Sequence, residues 1–246
     1  MSGPLISFAD VSFAYPNQST PVLMSFSHAV VSGRMIGVVG QSGCGKSTLI
    51  RLITGRLRPR GGHIALHASV DPRRHGHYGL VTQTDGLFPW RSVESNILAA
   101  FPEAASDEQR AGLHENLEAL GLSPAVLRNF PFQLSIGMRK RVELCRAVLR
   151  PSPLTLADEP FAALDVASAA AARRWLISKV SAAGGTLLLV SHDLRIVAEF
   201  CQEILIFRYN APGLVEAVQN PVVGLPPEDP RATDFRVSIA RSIGAL

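Results

Sequence analysis

The stretch Gly40–Ser47, GQSGCGKS, decides how the rest of the chain is read. It fits G-x-x-x-x-G-K-S. It stands between an apolar run, RMIGVVG (34–40), and a run of helical periodicity, KSTLIRLITGRL (46–57). A strand that feeds a glycine-rich turn and opens a helix is the context that gives this spacing its meaning. Backbone N–H groups of Gly43, Cys44, Gly45 and Lys46 can wrap a β-phosphate, with glycine permitting the close approach. The helix N-terminus adds positive potential. The Lys46 ammonium can reach β- and γ-phosphates, and the Ser47 hydroxyl can ligate Mg²⁺. Gly40, Gln41, Ser42 and Thr48 complete the loop and its exit, and all are expected at the nucleotide. The alternative is a glycine-rich turn that only caps a helix.

Outward from the loop, strands and helices alternate. LISFADVSFAY (5–15), PVLMSFSHAVVSG (21–33), GGHIALHAS (61–69) and YGLVTQ (78–83) read as strands. From about 86 to 150 strand signals vanish. SVESNILAAF, DEQRAGLHENLEALGL and GMRKRVELCRAVLR carry helical patterns instead. Strands return at PLTLADEP (153–160), TLLLVSHD (186–193) and EILIFRY (203–209), with a helix over VASAAAARRWLISKVSAA (166–183). The tail from Ala211 is rich in proline and polar residues, with a short helix near its end. This order predicts an α/β fold: a mostly parallel sheet wrapped by helices and interrupted by a helical insert. The expected organisation is one domain over 1–246. Its core spans 1–85 and 151–210, its helical subdomain 86–150 and its tail 211–246.

Composition narrows the class. With 246 residues, 47% hydrophobic and 18% charged, the chain can bury a sizeable core and is not a disordered polymer. No apolar run reaches the roughly 18–20 residues that span a bilayer. The start, MSGPLISFAD, lacks a basic n-region, so no secretory signal is expected and the protein reads as cytosolic. Cys44, Cys145 and Cys201 have no metal-ligand spacing, and two of them sit in apolar patterns suited to reduced core thiols. The formal charge of +4 fits a solvated basic surface, phosphate-bearing ligands, nucleic acid or a membrane-proximal position. The basic clusters Arg51–Arg56–Arg58–Arg60 and Arg73–Arg74–His75 are not interleaved with aromatics, so no base-stacking platform is indicated.

Three strand ends carry further chemistry. LTLADEP ends in two acids, with Asp158 suited to hold Mg²⁺ and Glu159 to polarise an attacking water. An acidic helix cap is the alternative. TLLLVSHD delivers His192 to a strand end, where it is either structural or able to stabilise transferring charge. YGLVTQ ends at Gln83, an uncharged group able to touch both metal and water. A fourth stretch, FQLSIGMRKRVELCRAVL (132–149), places Arg139, Lys140 and Arg141 in the first turns of a helix. The positive end of a helix disfavours cations, which suggests an anion docking there.

Taken in this order, these residues resemble the ATP-binding subunit of ABC transporters, over roughly Leu5 to Arg208. GQSGCGKS is similar to its Walker A motif, and LTLADEP to its Walker B with the catalytic Glu159. Gln83 matches the Q-loop, AALD with Asp165 the D-loop, and His192 the H-loop. LSIGM (134–138) matches the signature motif, usually Leu-Ser-Gly-Gly-Gln or Leu-Ser-Gly-Gly-Met. Tyr15 matches the aromatic that stacks on adenine, with a packed strand aromatic as the alternative. The resemblance implies a P-loop NTPase (RecA-like) core with an N-terminal antiparallel β region and an inserted helical subdomain. It implies ATP hydrolysis with Mg²⁺ held by Ser47, Gln83 and Asp158, in a head-to-tail dimer, expected to be a homodimer. Ser135 and the Gly137 amide of one copy would then contact the γ-phosphate held by the other. The cations at the start of that helix would partly offset phosphate charge or stand solvated.

One residue departs from the pattern. Ile136 stands where the family usually has glycine, and a β-branched residue at positive φ would cost about 1–3 kcal/mol, weakening closure. If the turn is already extended, the cost is small. DGLFPWRSVESNI (85–97) and Cys44 and Met138 resemble the nitrate, sulfonate and taurine importer branch. There, Phe88 and Trp90 would form an exposed patch that receives two integral membrane permease subunits; the alternative is that both are buried in the insert. A solute-binding protein would act indirectly, nucleic acid is not expected, and the subunit would sit peripherally on the cytoplasmic face of the inner membrane. The alternatives are a non-transport ABC ATPase, or a weakly hydrolysing, nucleotide-gated regulatory subunit motivated by Ile136.

Overall fold

The computed structural model describes residues 3–16, 18, 20–74, 77–84, 86–101, 106–208 and 210–245. His75 of the second basic cluster and Asp85 at the head of the docking segment lie outside them. Along the chain run β1 (Ile6–Phe13), β2 (Leu23–Val30), β3 (Met35–Val39), α1 (Lys46–Ile53), β4 (Gly61–Leu66), β5 (Gly79–Val81), α2 (Val93–Leu98) and α3 (Asp107–Ala119). Two 3₁₀ turns follow, Pro124–Arg128 and Pro131–Gln133. Then come α4 (Ile136–Leu149), β6 (Leu154–Asp158), α5 (Val166–Ala182), β7 (Thr186–Val190), α6 (Leu194–Phe200), β8 (Glu203–Phe207), β9 (Val215–Gln219) and α7 (Pro230–Ser242). The chain divides into two compact units: residues 1–72 with 186–246, and residues 73–185.

In the first unit, β1 pairs antiparallel with β2 and with β4, forming the expected N-terminal antiparallel region. β3 pairs parallel with β7 and β8. All three of these strands are buried along their whole length. Strands covered on both faces read as continuous apolar runs, which is why MIGVV, TLLLV and EILIF were recognisable. Helix α6 lies against β3 so closely that a Cβ on Gly37 would overlap Val197. The tail is more structured than its composition suggested. β9 pairs antiparallel with β8. Buried Asn220 donates to the carbonyls of Ala198 (2.8 Å) and Cys201 (2.6 Å) at the end of α6. α7 runs thirteen residues from an Asp229 cap with proline at its first position, the arrangement a helix start favours.

The second unit holds the parallel pair β5–β6 together with α2, α3, α4 and α5. Helix α4 packs on α2, α3, β5 and α5. Its apolar face, Val142, Leu144, Cys145 and Ala147, is buried. Cys145 and Cys201 are both fully buried, and burial pushes each thiol up to about 12, so both are protonated core residues at neutral pH.

Candidate active site

In the first unit the glycine-rich loop leaves β3 and enters α1. Gly43 has φ 80° and Gly45, the helix cap, φ 114°. A side chain at Gly43 would meet nothing within 4 Å, so that face of the loop is open. At Gly45 a Cβ would overlap Val22 Cγ1, so the loop rests directly on the chain entering β2. The Lys46 ammonium donates to the carbonyls of Gly40 and Gln41, both at 2.8 Å. A cation held at the mouth of an open, amide-lined turn at a helix N-terminus is the arrangement that receives phosphates. Gln41 Nε2 donates to Gly244 O (3.0 Å), so the end of the tail touches the loop. Ser42 is exposed, and Ser47 is half-buried in the first turn of α1.

Cys44 is partly buried in the loop, and desolvation raises its thiol above the ordinary cysteine range, with Lys46 opposing. Tyr15 is pinned: Arg51 donates to its hydroxyl (3.2 Å), which shares a hydrogen bond with Thr48 Oγ1 (3.0 Å). Its ring stands edge-on to Phe13 at 5.1 Å. The aromatic proposed for adenine is thus fixed to the helix that begins at the phosphate loop. His192 is exposed just past β7. Asp193 beside it caps α6 by accepting from Arg195 N (2.9 Å).

In the second unit Asp158 is the buried last residue of β6, and Glu159 follows at φ 48°. A left-handed glutamate costs of order 1 kcal/mol or more. Such a cost persists where the surrounding structure fixes the residue, often at functional positions. Asp165 caps α5 by accepting from Ser168 N (3.0 Å). Hydrogen bonds from Ser168 hold its carboxyl below the usual carboxylate range. Ser135 caps α4 by accepting from Met138 N (3.2 Å). A Cβ on Gly137 would lie 3.3 Å from Ala163 O, so the signature turn packs on the loop leading to Asp165. Gln83 is exposed just beyond β5. Phe88 and Trp90 are exposed (38% and 72%) with rings 5.7 Å apart, as the apolar-patch reading expected.

One open alternative is decided, and one expectation needs correcting. Ile136 is the first residue of α4 and has no positive φ. Ser135 stays extended and caps the helix, so the turn never enters the left-handed region and the backbone penalty does not arise. The Ile136 side chain stands 65% exposed. The three cations are neither solvated nor spare. Arg139 donates to Pro131 O and Leu134 O, Arg141 to Leu120 O, Gly121 O and Gly137 O, and Lys140 to Thr82 O and Glu143. Carbonyls of neighbouring segments, with Gly137 O and the Glu143 carboxylate of α4 itself, supply the negative partners that the helix-dipole argument assigned to a docked anion.

Residue reasoning also passed over Asn96. Fully buried, it accepts from Phe88 N (2.7 Å) and donates to the carbonyls of Phe88, Arg91 and Ser92 (each 3.0 Å). It shapes the segment that presents Phe88 and Trp90. The signal was a polar residue inside the buried stripe of Val93 and Ile97.

Residues 23–162 match the model of the ABC transporter family. This chain belongs to the ABC transporter ATPase family. The family's members are ATP-hydrolysing cassettes coupled to transport. The ABC ATPase is 34% identical over 204 residues to the taurine import ATP-binding protein TauB of Yersinia pestis, covering 82% of this chain and 78% of TauB. It is 37% identical over 193 residues to the Fe(3+) ions import ATP-binding protein FbpC 1 of Rhodococcus jostii, covering 76% of this chain. It spans only 55% of FbpC 1. Among solved structures, the ATP-binding subunit of an ABC transporter superposes with a TM-score of 0.77 at 24% identity, covering 98% of this chain and 99% of that one. A dimeric ATP-binding cassette bound to ADP and Pi superposes with a TM-score of 0.75 at 24% identity, covering 87% and 98%. These likenesses show the P-loop NTPase fold.

Proposed function

We propose that this ABC ATPase is the ATP-hydrolysing subunit of an importer for a small anion of the taurine, sulfonate or nitrate kind. The observation that carries the ATPase reading is the phosphate loop: Lys46 held at the mouth of a turn whose Gly43 face is open. The importer reading is supported by relatives named for import. Phosphates entering the loop draw Lys46 away from the Gly40 and Gln41 carbonyls, and the amides of Gly43, Cys44, Gly45 and Lys46 take the β-phosphate. Tyr15 carries the adenine. Gln41, Ser42 and Thr48 line the loop and its exit.

Ser47, Gln83 and Asp158 would hold Mg²⁺, which when bound would supply positive charge against the charge developing on the phosphates. Among the described residues, no three His, Cys, Asp or Glu side chains converge as a metal cage. Glu159 orients the attacking water, His192 steadies charge on the transferring phosphoryl group, and Asp165 supports the site from the D-loop position. Ser135 and Gly137 of a second copy complete it, so the working form is a homodimer. Phe88 and Trp90 receive the two permease subunits, which a solute-binding protein supplies. Among the described residues no helix is long and apolar enough to cross a membrane, and the subunit works peripherally on the cytoplasmic face of the inner membrane.

The test is reconstitution with the permease in liposomes. ATP-dependent uptake of taurine, an alkanesulfonate or nitrate that vanishes in Glu159→Gln supports the reading. ATP turnover without uptake of any of the three removes the solute assignment, and no turnover removes the ATPase assignment.

A further inference from the structure

One buried cluster is left unused by the reading above. Lys140 and Glu143 sit one turn apart on α4 and are 6% and 1% exposed. Glu143 Oε1 accepts from the Thr82 amide (2.8 Å) and lies 2.7 Å from the Thr82 hydroxyl. That single hydroxyl proton is shared with Thr84 O, also at 2.7 Å. Lys140 Nζ donates to Thr82 O (2.6 Å) and to Glu143 Oε2 (3.1 Å). Every polar group of Thr82, the residue before Gln83, is therefore engaged, most of them by one helix.

The far edge of the same loop is held from the same helix. Arg146 Nη1 donates to Gly86 O at 2.8 Å, and Nη2 lies 3.9 Å from Glu143 Oε1. A Cβ on Gly86 would overlap Glu143 Oε1 and stand 2.7 Å from the Thr82 hydroxyl, so glycine is needed there for contact with the carboxylate. Arg146 continues over the Phe88 ring at 5.8 Å from its centroid. A buried ion pair is a poor source of net stability, and two charges buried to fix one short loop call for a use other than folding.

We infer that the Lys140–Glu143 pair, with Arg146 beside it, is a positioning device: the pair holds the Thr82 edge and Arg146 the Gly86 edge of the Gln83 loop to the helix that begins at Ser135, and together they set where Gln83 presents its amide. This rests on the reading of Gln83 as a ligand of the magnesium nucleotide. It makes Lys140 and Glu143 positioning residues, since both side chains are engaged with each other and with Thr82 and act on Gln83 only through the loop. Fixing the loop in advance removes its ordering cost from the reacting complex.

The experiment compares wild type with Glu143→Ala, with Gly86→Ala, and with the double variant Lys140→Met/Glu143→Gln. The double variant keeps an acceptor for Thr82 and removes both charges of the Lys140–Glu143 pair together. Steady-state ATPase is measured against ATP and against free Mg²⁺. Amide hydrogen exchange over residues 79–101 is followed on the same samples. For Glu143→Ala the expected result is a kcat reduced at least tenfold, a KM for ATP within twofold, and a half-saturating Mg²⁺ raised at least fivefold. Thr82 should lose exchange protection. Gly86→Ala should show the same split, and it carries the test if Glu143→Ala does not fold. The double variant keeps an acceptor for the Thr82 amide but loses the Lys140 donor to Thr82 O, and should fall between Glu143→Ala and wild type. Wild-type kcat and Mg²⁺ dependence in folded Glu143→Ala and Gly86→Ala overturn the inference. If the wild type itself does not hydrolyse ATP, the functional reading fails. Exchange then decides the clamp, with loss of Thr82 protection supporting it and unchanged protection overturning it.

Discussion

Replacing Gly45 by alanine probes the phosphate loop where conformation and packing coincide. Gly45 sits at φ 114°, a region L-residues enter at a cost of about 1–3 kcal/mol. Its missing side chain is also the space filled by Val22 Cγ1, with Phe207 Cε1 next at 3.3 Å. Val22 is buried, and forcing a methyl into a packed site adds about 1–3 kcal/mol. Gly45→Ala should therefore lose roughly 2–6 kcal/mol, summing those two terms. Gly43→Ala is the internal control. It has φ 80° and no atom within 4 Å, so it pays only the backbone part. Urea unfolding followed by circular dichroism measures both, with unchanged slopes certifying that stability alone has moved. In a Val22→Ala background the overlapping methyl is gone, and the cost of Gly45→Ala should shrink by about 1–3 kcal/mol. A Gly45→Ala loss no larger than that of Gly43→Ala, or one indifferent to Val22→Ala, refutes the packing argument.

Other consequences are sharper in assay than in energy. Glu159→Gly should be more stable than Glu159→Ala by about 1 kcal/mol, since both delete the same carboxylate and only glycine accepts φ 48° freely. Equal stabilities would show that the left-handed backbone is not costly there. Cys44 should react slowly with iodoacetamide at neutral pH. Its folded-state thiol is raised by burial, so the thiolate, the reactive form, appears only at higher pH than for an ordinary cysteine. The rate should still be climbing where a model thiol has levelled off, and MgATP should suppress it. Labelling indifferent to nucleotide would remove Cys44 from the phosphate site. Trp90→Ala should weaken permease capture at least about 30-fold, as loss of an exposed aromatic anchor does. Folding stability should hold to within about 0.5 kcal/mol, and the ATPase rate of the isolated subunit should not change. Undiminished capture would place the docking surface elsewhere.

What the sequence disclosed follows the strength of its local signals. MIGVV, TLLLV and EILIF are buried on both faces and read plainly as strands, and the loop glycines announce themselves by spacing. Helix α6 was missed because seven residues, with only Ile196, Val197 and Ala198 buried, are too few to display a period. β9 was missed because VEAVQ is a half-buried edge strand whose partner, β8, supplies the order. Ile136 left two turn conformations open because the glycine it replaces could be needed for either, and only the Ser135 side chain, which ends the turn one residue earlier, decides for the extended one. Arg139, Lys140 and Arg141 misled for a related reason. The dipole argument looks along one helix, and most of the carbonyls that hold these cations come from other segments. Glu143 was visible as a charge inside an apolar helix face three residues after a lysine. That spacing only gains meaning once the Thr82 strand end lies beside it.

The central claim is that each nucleotide is completed by a second copy of the chain. Sedimentation of Glu159→Gln with and without MgATP tests it most directly. The account predicts a monomer that becomes a dimer carrying one ATP per chain, and a Ser135→Arg version that binds ATP yet stays monomeric. A Glu159→Gln protein saturated with MgATP that remains monomeric at high concentration, even with its permease present, would contradict it.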